Sequence, residues 1–401
     1  MFNNFNSEIS FLVNGKISNK EIEETFNENT IEFLSCFSNN LIKDINCRKY
    51  SDLISLSFWC SKRNLSQLRK KYEKKELRLG RGLVFHITPS NVPTNFIYSL
   101  IFGLISGNSN IVKVPSNEFK QIDLICFHLN KLLKMSKFKL IKNKVMIIRY
   151  DSKKKDITDY ISNICDLRVI WGGDETINSV RESKIRPHAT DITFADRYSF
   201  TIINSKKILK LNNILTLKLV KNFFNDSFLM DQNACTSPHI IMWLGNKADK
   251  IKASNIFWKN LESYASKNYD IPDIAIIDKF NQLCIDAAKD KNFKKVNFKN
   301  KILSVIELKN IDEYLHYKRG KWGYFYEFNL KELNKLNKII NHKYQTVTYY
   351  GLEKKIFENY LIKNKIKGVD RFVPIGNSLK MGLTWDGIDI INSFSRAIEI
   401  V

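Results

Sequence analysis

The sequence has few prolines and glycines, and none of its cysteines form a closely spaced pair. Its 401 residues include 7 prolines, 15 glycines and 7 scattered cysteines, with no Cys-x-x-Cys motif. This composition excludes collagen-like and low-complexity classes. The odd, dispersed cysteines exclude a zinc ribbon and a disulfide-stapled scaffold. A reducing, cytoplasmic setting is the simplest expectation.

Long apolar runs are also missing. The longest, from Val92 to Ile105, is too short and too interrupted to span a bilayer. The first residues, MFNNFNSEIS, lack the basic and apolar regions of a secretory signal. We therefore expect no stable membrane insertion. With 44% hydrophobic residues, the chain can bury a large core in two or three domains.

Acidic residues are outnumbered, with 41 Asp and Glu against 64 Lys and Arg, for a net charge of +23. Such an excess is typical of proteins that bind nucleic acid, anionic membranes or anionic substrates. Here the basic residues lie along the whole chain in short runs such as Lys153–Lys155, without an RNP, zinc-finger or helix-turn-helix signature. Lys, Asn, Ile and Phe are all abundant, which A/T-rich codons explain. We expect a solvated, lysine-rich surface and no nucleic-acid partner.

Apolar runs and helical stretches alternate after a polar, helical start. Short apolar runs, from Gly82–Thr88 to Leu167–Trp171, are separated by stretches with helical spacing, and the alternation resumes after residue 205. This pattern is typical of βαβ units around a parallel sheet. We predict an α/β protein with a helical N-terminal segment at 1–78, α/β domains at 79–205 and 206–385, and a C-terminal tail at 386–401.

The first stretch with chemical potential is His86–Pro93 (HITPSNVP), which leaves an apolar strand and turns toward a helix. Doubly wound sheets bind ligands at such turns, outside the carboxyl ends of their strands. Asn91 is therefore a candidate site residue. In the alternative reading, Asn91 caps the helix and Pro93 lies close to its first position. A lone histidine such as His86 is more typical of a core or turn.

The second stretch is Asp231–Pro238 (DQNACTSP), where Cys235 lies among small polar residues between a helix and an apolar strand. Polar surroundings near a helix can lower the pKa of a thiol toward the nucleophilic range. The alternative is a buried packing cysteine. The remaining cysteines lie in apolar or helical contexts that indicate packing: Cys36, Cys47, Cys60, Cys126, Cys165 and Cys284.

Together these stretches resemble the aldehyde dehydrogenase superfamily and, within it, the LuxC-type acyl-CoA reductases. The resemblance rests on GLVFHITPSNVPTNFIYSLIFGLISGNSNIVKVPS, WGGDETI, DQNACTSPHI and DRFVPIGNSLKMGLTWDGIDIINSFSR, in that order from about residue 80 to the C-terminus. It implies two Rossmann-like doubly wound α/β domains behind the helical N-terminal segment. It also implies reduction of an acyl thioester to an aldehyde.

The resemblance assigns roles to particular residues. Cys235 matches the nucleophile that forms a thioester with the acyl group, and Asn91 matches the amide of the oxyanion hole. Lys113 matches the lysine that reaches the adenosine ribose of a nicotinamide cofactor. Gly172 and Gly173 match the loop near its pyrophosphate, with an ordinary turn as the alternative. No metal site is expected.

The cofactor expected from the resemblance is NADPH. Lys113 is followed by Val-Pro-Ser-Asn-Glu, so Ser116 beside a cation would admit a 2′-phosphate. LuxC-type reductases are generally NADPH-linked. NADH stays open if the loop brings Glu118 inward, where a carboxylate would bind the ribose hydroxyl instead.

The sequence departs from the superfamily pattern at two places. Acid-releasing aldehyde dehydrogenases carry a water-activating Glu, but Phe194–Arg197 contains none, and Asp196 lies about two places away. A missing base suits a thioester-exchanging enzyme. The Glu-x-Phe-Gly-Pro segment has no clear match, with Lys318–Gly323 there instead, so no residue is assigned to the nicotinamide ribose.

We therefore expect a cytoplasmic homo-oligomer that reduces a fatty acyl-CoA or a carrier-bound acyl group, with an acyltransferase or synthetase as partner, in fatty acid metabolism or luminescence. One alternative is a reductase for a short or sugar-linked acyl group in cell-surface polysaccharide assembly. Another is a non-catalytic scaffold for an acyltransferase. Intact Cys235, Asn91 and Lys113 weigh against the scaffold.

Overall fold

The computed structural model describes residues 2, 5, 7–15, 17, 21–72 and 76–400, with only the backbone of Lys299. The chain forms two compact units. The first comprises Met1–Asp196 and Leu383–Val401, and the second comprises Arg197–Gly382. Each contains a mainly parallel sheet with helices between its strands, so the predicted α/β class is confirmed. No helix within the described ranges combines the length and apolar character needed to cross a membrane.

The predicted helical N-terminal segment contains helices, but it also contributes a strand. The elements of the first unit up to residue 196 are β1 (Ser10–Val13), α1 (Glu28–Lys43), α2 (Ile45–Arg48), α3 (Ser51–Trp59), α4 (Lys62–Arg69), β2 (Leu77–Gly80), β3 (Leu83–Ile87), α5 (Asn95–Ile105), β4 (Ser109–Lys113), α6 (Lys120–Leu133), α7 (Lys139–Lys142), β5 (Val145–Arg149), α8 (Lys155–Ile164), β6 (Leu167–Trp171), α9 (Asp174–Arg181) and β7 (Thr190–Phe194).

The described strands of the first unit form a six-stranded sheet in the order β1-β5-β4-β3-β6-β7. β1 runs antiparallel to β5, and the other neighbours are parallel. The chain passes from β3 through β4 to β5 on one side and then crosses to β6 and β7 on the other. The point where the order reverses therefore lies between β3 and β6, where doubly wound sheets bind their ligands.

The central strands of this sheet are buried along their length, which explains why they read as continuous apolar runs. Their core side chains include Leu83, Phe85, Ile111 and Ile170. Because parallel strands are covered on both faces, the alternation of apolar and polar residues is lost. This is the physical reason that these strands could be predicted from the sequence.

The second unit begins one strand earlier than the expected boundary at residue 205. Its elements are β8 (Tyr198–Asn204), α10 (Ser205–Ile208), α11 (Asn213–Ser227), β9 (Pro238–Leu244), α12 (Lys247–Asn268), α13 (Asp273–Lys289), β10 (Phe293–Lys299), β11 (Ser304–Leu308), β12 (Tyr324–Leu330), β13 (Tyr344–Tyr350), α14 (Lys354–Asn364) and β14 (Arg371–Pro374). Short 3₁₀ turns occupy Leu315–Tyr317 and Leu333–Lys338.

The described strands of the second unit form a seven-stranded sheet in the order β10-β11-β12-β9-β8-β13-β14. β10 is antiparallel to β11, and the other neighbours are parallel. β8 is an interior strand between β9 and β13, so it belongs to this unit. Rings on α11 and α12 contribute to one core cluster, where Phe223 lies edge-on to Phe257 and Trp258.

The C-terminal residues belong to the first unit. They form β15 (Thr384–Trp385), β16 (Ile388–Asp389), α15 (Ile390–Phe394) and β17 (Ser395–Ile398). β17 pairs antiparallel with β2. The Asn108 side chain also donates to the Phe394 carbonyl at 2.9 Å. The segment expected as a tail at 386–401 therefore forms hydrogen-bonded structure with residues near the start of the first sheet.

Candidate functional site

The first unit brings four of the predicted site residues to one edge of its sheet. β3 and β4 end side by side at Ile87 and Lys113, and Ile87 also pairs with Ile170 of β6. Because these strands are parallel, the loops that carry Asn91 and the Gly172-Gly173 pair leave from the same carboxyl edge as Lys113. This edge includes the reversal point between β3 and β6, so its location is that of a nucleotide site in a doubly wound sheet.

Asn91 does not cap the helix that follows it. α5 begins at Asn95 and its N-cap residue is Thr94, so the capping alternative is wrong. The turn is anchored at its start, because the backbone N–H and hydroxyl of Thr88 both donate to the Lys113 carbonyl, at 3.2 and 2.8 Å. Asn91 itself is exposed. An exposed amide on an anchored turn is consistent with the predicted ligand-binding role of Asn91.

Lys113 is nearly buried, with 8% of its surface exposed. Its ammonium lies 5.0 Å from the centre of the Tyr150 ring. Burial lowers the pKa of Lys113, and the nearby Asp151 carboxylate opposes that shift. A cation held with little solvent interacts strongly with an anionic ligand.

The loop after β4 carries Ser116 and Glu118, both exposed. The Glu118 carboxylate is 88% exposed and lies 3.8 Å from a guanidinium nitrogen of Arg149. Arg149 also donates through Nε to the Pro115 carbonyl at 3.2 Å, while its buried Nη2 has no hydrogen-bond partner among the described residues. This arginine ends β5, next to β4, and the sequence reasoning did not identify it. It adds a second positive group beside the loop.

The two glycines differ in what they provide. A Cβ at Gly172 would meet the Thr176 side chain at 3.1 Å, whereas one at Gly173 would meet nothing within 4 Å. Gly173 therefore lies in open space, directly before the N-terminus of α9. Its φ angle of −70° is one that any residue can adopt, so its backbone does not require a glycine. Asp174 and Glu175 occupy the first turn. These carboxylates already stabilise the helix dipole and would oppose a phosphate there.

His86 is a structural residue, as its strand position indicated. Its two ring nitrogens contact Ser99 Oγ at 2.7 Å and Asn110 Oδ1 at 3.0 Å, and Trp171 donates to the same Ser99 Oγ at 2.9 Å. Burial lowers the pKa of His86 to about 4. The imidazole is therefore neutral and satisfied within the core.

In the second unit, Cys235 lies at the amino end of β9 and is half-buried. Asp231 and Gln232, which begin the turn, have left-handed φ angles of 51° and 59°. Such angles are unusual for residues with side chains and persist where the surroundings fix them. The Tyr269 hydroxyl donates to the Asp231 carboxylate at 2.5 Å, which fixes one end of the turn.

Gln232 fastens this turn to the neighbouring strands from inside. Its side chain is buried, and its amide donates to the carbonyls of Pro238 and Tyr324 at 3.3 and 3.2 Å. Its carbonyl accepts from the Gly323 N–H at 2.7 Å. Both donor directions and one acceptor direction of this amide therefore hold the backbone around Cys235.

Ser199 contacts the Cys235 residue directly. Its hydroxyl donates to the Cys235 carbonyl at 2.6 Å and accepts from the Thr346 N–H at 3.2 Å. The serine lies in β8, so it links the cysteine turn to β13. The motif around Cys235 gave no signal for it, because its partners are distant in sequence.

The loop before β12 borders the cysteine turn and is basic. Gly323 ends this loop, and its sequence from residue 318 is KRGKWG. The ring of the buried His239 stacks on Tyr198 at 5.2 Å, and its Nδ1 lies 3.1 Å from the Gly320 carbonyl. Burial and the charges of Arg319 and Lys321 lower the pKa of His239 to about 3. His239 is therefore neutral, and the positive field of this loop reaches it.

The two units present their site residues at opposite edges of their sheets. The first unit does so at the carboxyl ends of its strands, as a nucleotide-binding sheet does. The second unit presents Cys235 at the amino end of β9, beside the loop that enters the amino end of β12. A doubly wound sheet and a separate sheet with a half-buried cysteine at the amino end of a strand are the architecture that the resemblance to the aldehyde dehydrogenase superfamily implies.

The comparisons with known proteins agree with this class. The NAD-dependent benzaldehyde dehydrogenase of Corynebacterium glutamicum superimposes with a TM-score of 0.61 at 11% identity, over 92% of this chain and 84% of that protein. At this identity the likeness shows the fold. Residues 41–311 match the acyl-CoA reductase (LuxC) family, and the chain belongs to that family. The resemblance drawn from the motifs is confirmed.

Relatives in this family carry names that describe a thioester reductase. The long-chain acyl-protein thioester reductase of Vibrio harveyi is 21% identical over 325 residues, 80% of this chain and 64% of that protein. The enzyme of the same name from Photorhabdus laumondii is 24% identical over 195 residues, 47% of this chain and 38% of that protein. The matched segments span less than two thirds of these relatives.

Proposed function

We propose that this protein is an NADPH-dependent reductase that converts an acyl thioester to an aldehyde through a thioester on Cys235. The observation that carries the proposal is the cysteine turn itself. Cys235 is half-buried, its carbonyl is held by Ser199, and the turn is fastened from inside by Gln232. A cysteine that served packing alone would need no such support.

In the proposed acylation step, the Cys235 thiolate attacks the acyl carbonyl of the incoming thioester. The bond from its sulfur to the acyl carbon forms, and the bond from that carbon to the carrier's sulfur breaks. The carrier leaves as a thiol, taking up the proton that Cys235 gave up. The Cys235 backbone N–H is a proposed donor to the developing oxyanion, and the resemblance implies the Asn91 amide as a further donor, each worth about 3 kcal/mol.

The first unit fits the proposed cofactor. Lys113 and Arg149 provide positive charge near Ser116 for a 2′-phosphate. The space at Gly173 is open to a pyrophosphate, although the two carboxylates in the first turn of α9 oppose its charge. The Glu118 side chain is 88% exposed and lies beside Arg149. The positive charge of Arg149 partly neutralises the repulsion between Glu118 and a phosphate. NADPH, when bound, supplies the hydride that turns the acyl group into an aldehyde. NADPH is therefore proposed over NADH.

The proposed fate of the acyl group is reduction and not hydrolysis. Phe194 ends β7 and is buried, and the residues that follow to Arg197 include no Glu that could activate water. We therefore expect the acyl-enzyme to resist water. Slow hydrolysis keeps the acyl group on Cys235 until reduction, which suits a thioester reductase.

The proposed substrate is a long-chain acyl group on an anionic carrier in the cytoplasm. The names of the relatives support an acyl-protein thioester. The basic loop at 318–323, joined to the cysteine turn through Gly323 and Gln232, supports a negatively charged carrier. The phosphates of coenzyme A and an acidic carrier protein both meet this requirement, and an acyltransferase or synthetase is the proposed source of the acyl group.

The proposal is tested by identifying the product. The purified protein is incubated with a long-chain acyl thioester and NADPH, and the aldehyde and the free acid are separated by gas chromatography. We expect aldehyde with wild type and with Cys126→Ala, and almost none with Cys235→Ser. Release of free acid as the main product, or aldehyde at the wild-type rate from Cys235→Ser, would overturn the proposal.

A further inference from the structure

The first unit contains a cluster of side chains that the proposed reaction does not use. Asp44 follows α1, Cys47 lies in α2, and His128 lies in α6. One carboxylate oxygen, the thiol sulfur and one imidazole nitrogen all lie within 4.8 Å of one another. The cluster joins residues that are 84 positions apart in sequence. The sequence context of Cys47 indicates a packing residue, and no metal site is expected from the sequence.

The cluster is mostly buried but remains partly exposed to solvent. Cys47 is fully buried and His128 is 5% exposed, while the Asp44 side chain retains 20% of its exposure. His128 Nε2 lies 2.9 Å from Asp44 Oδ2. The other ring nitrogen, Nδ1, is buried without a hydrogen-bond partner among the residues that the structure describes. Among the described residues, the contact with Asp44 is therefore the one hydrogen bond that holds this imidazole in the cluster.

Three side-chain types that bind divalent cations therefore meet at one place: a carboxylate, a thiol and an imidazole. The charge of a divalent cation would balance one carboxylate and one thiolate.

We propose that Asp44, Cys47 and His128 bind a zinc ion. Carboxylate, thiolate and imidazole are its common ligands, and the ligand atoms of a tetrahedral site lie about 3 to 4 Å apart. Binding exchanges the Asp44–His128 hydrogen bond for bonds to the metal and releases the Cys47 proton to solvent. Water occupies the fourth position, reached from the exposed side of Asp44.

The ion would tie together three helical elements of the first unit. Asp44 links α1 to α2, and its Oδ1 already accepts from the Asn46 N–H at 2.7 Å. His128 brings in α6, which packs against α1. The proposed role is to stabilise this helical part of the unit, and it does not depend on the proposed reductase function. Ions that bind only the folded state raise its melting temperature.

The test uses cobalt(II) as a spectroscopic probe on the full-length protein after treatment with a chelator. A thiolate–cobalt charge-transfer band in the near ultraviolet, appearing with one equivalent and displaced by zinc, is the expected result. Cys47→Ser should lose the band. His128→Gln should weaken cobalt binding by at least about tenfold, the range seen when even an outer-shell partner is removed.

Two matched variants distinguish this site from other thiols. Cys126→Ser changes a buried cysteine two positions before His128 and should keep the band, as should Cys235→Ser, which removes the half-buried thiol of the second unit. The absence of a band in wild type, its persistence in Cys47→Ser, or its loss in Cys235→Ser would overturn the proposal. If Cys47→Ser fails to fold, the affinity of His128→Gln decides.

Discussion

The hydroxyl of Ser199 is predicted to support both the stability of the second unit and the reactivity of Cys235. Ser199→Ala removes a single oxygen atom. It abolishes the 2.6 Å bond to the Cys235 carbonyl and the 3.2 Å bond from the Thr346 N–H, and this N–H lies on a buried residue. Two lost hydrogen bonds, one leaving a buried donor without a partner, should lower the free energy of unfolding by about 2 to 4 kcal/mol.

A second buried serine, next to this strand, offers a matched control. Ser205, just beyond the other end of β8, is also fully buried, and its hydroxyl has no hydrogen-bond partner among the described residues. Ser205→Ala should therefore leave stability unchanged or increase it slightly, because it removes an unsatisfied polar atom. Urea unfolding of both variants, followed by tryptophan fluorescence, measures the difference between them.

Acylation kinetics separate a positioning role from a purely structural one. With the Cys235 carbonyl released, we expect single-turnover acylation by acyl-CoA to slow by about tenfold, equivalent to about 1.4 kcal/mol. Ser205→Ala should acylate at the wild-type rate. If Ser199→Ala matched wild type in both stability and acylation, Ser199 would not support the cysteine turn. A loss of stability with unchanged acylation would reduce its role to packing.

Three further predictions concern other residues. Asn91→Ala should slow acylation by about a hundredfold or more, because one oxyanion donor is lost; single-turnover rates check this, and an unchanged rate would remove Asn91 from the site. Arg149→Gln should weaken NADPH binding by about tenfold and NADH binding much less, because a charged contact to the 2′-phosphate is lost; calorimetric titrations showing equal effects would contradict it. Burial raises the pKa of Asp226 to about 6 although the N–H groups of Gly376 and Ser378 donate to it. Because the folded state then holds this proton more tightly than the unfolded state, the stability from Asp226 should fall as pH rises from about 4 to 6. Asp226→Asn should flatten that slope in urea titrations, and an identical slope in both proteins would contradict the assignment.

The parts of the fold that could be predicted from sequence are those fixed by local pattern. β3, β4, β6 and β9 are buried on both faces, so each appears as an apolar run between helical stretches. The strand β10 could not be recognised this way. Its sequence FKKVNFK carries the lysines that protect an edge strand, so its pattern is typical of a solvated segment.

The observed boundary between the units lies at Asp196 and Arg197, before the predicted boundary at residue 205. β7 and β8 are separated only by Ala195–Arg197, and they belong to different sheets. Short spacing normally indicates that two strands pair with each other, so the sequence gives no sign of the division. The pairing of β8 with β9 and β13 depends on residues far along the chain.

The residues of the candidate site also fall into two groups: those that a local motif reveals and those that only contacts in the folded protein reveal. Cys235 and Asn91 could be selected because each lies in a local motif with unusual polar residues between apolar elements. Ser199 and Arg149 could not, because the roles proposed for them rest on contacts with the Cys235 carbonyl and with the Pro115 carbonyl. Such contacts exist only once the strands are arranged in the sheet.

The central claim is that Cys235 carries the acyl group as a covalent thioester, and intact-protein mass spectrometry tests it most directly. The protein is mixed with a long-chain acyl-CoA in the absence of NADPH, and free coenzyme A is measured in parallel. We predict about one acyl group per chain, mapped to Cys235 by peptide analysis, an equal amount of released coenzyme A, and discharge of the adduct as aldehyde when NADPH is added. An adduct that forms equally on Cys235→Ser, or aldehyde production with no acyl-enzyme at any time, would contradict the account.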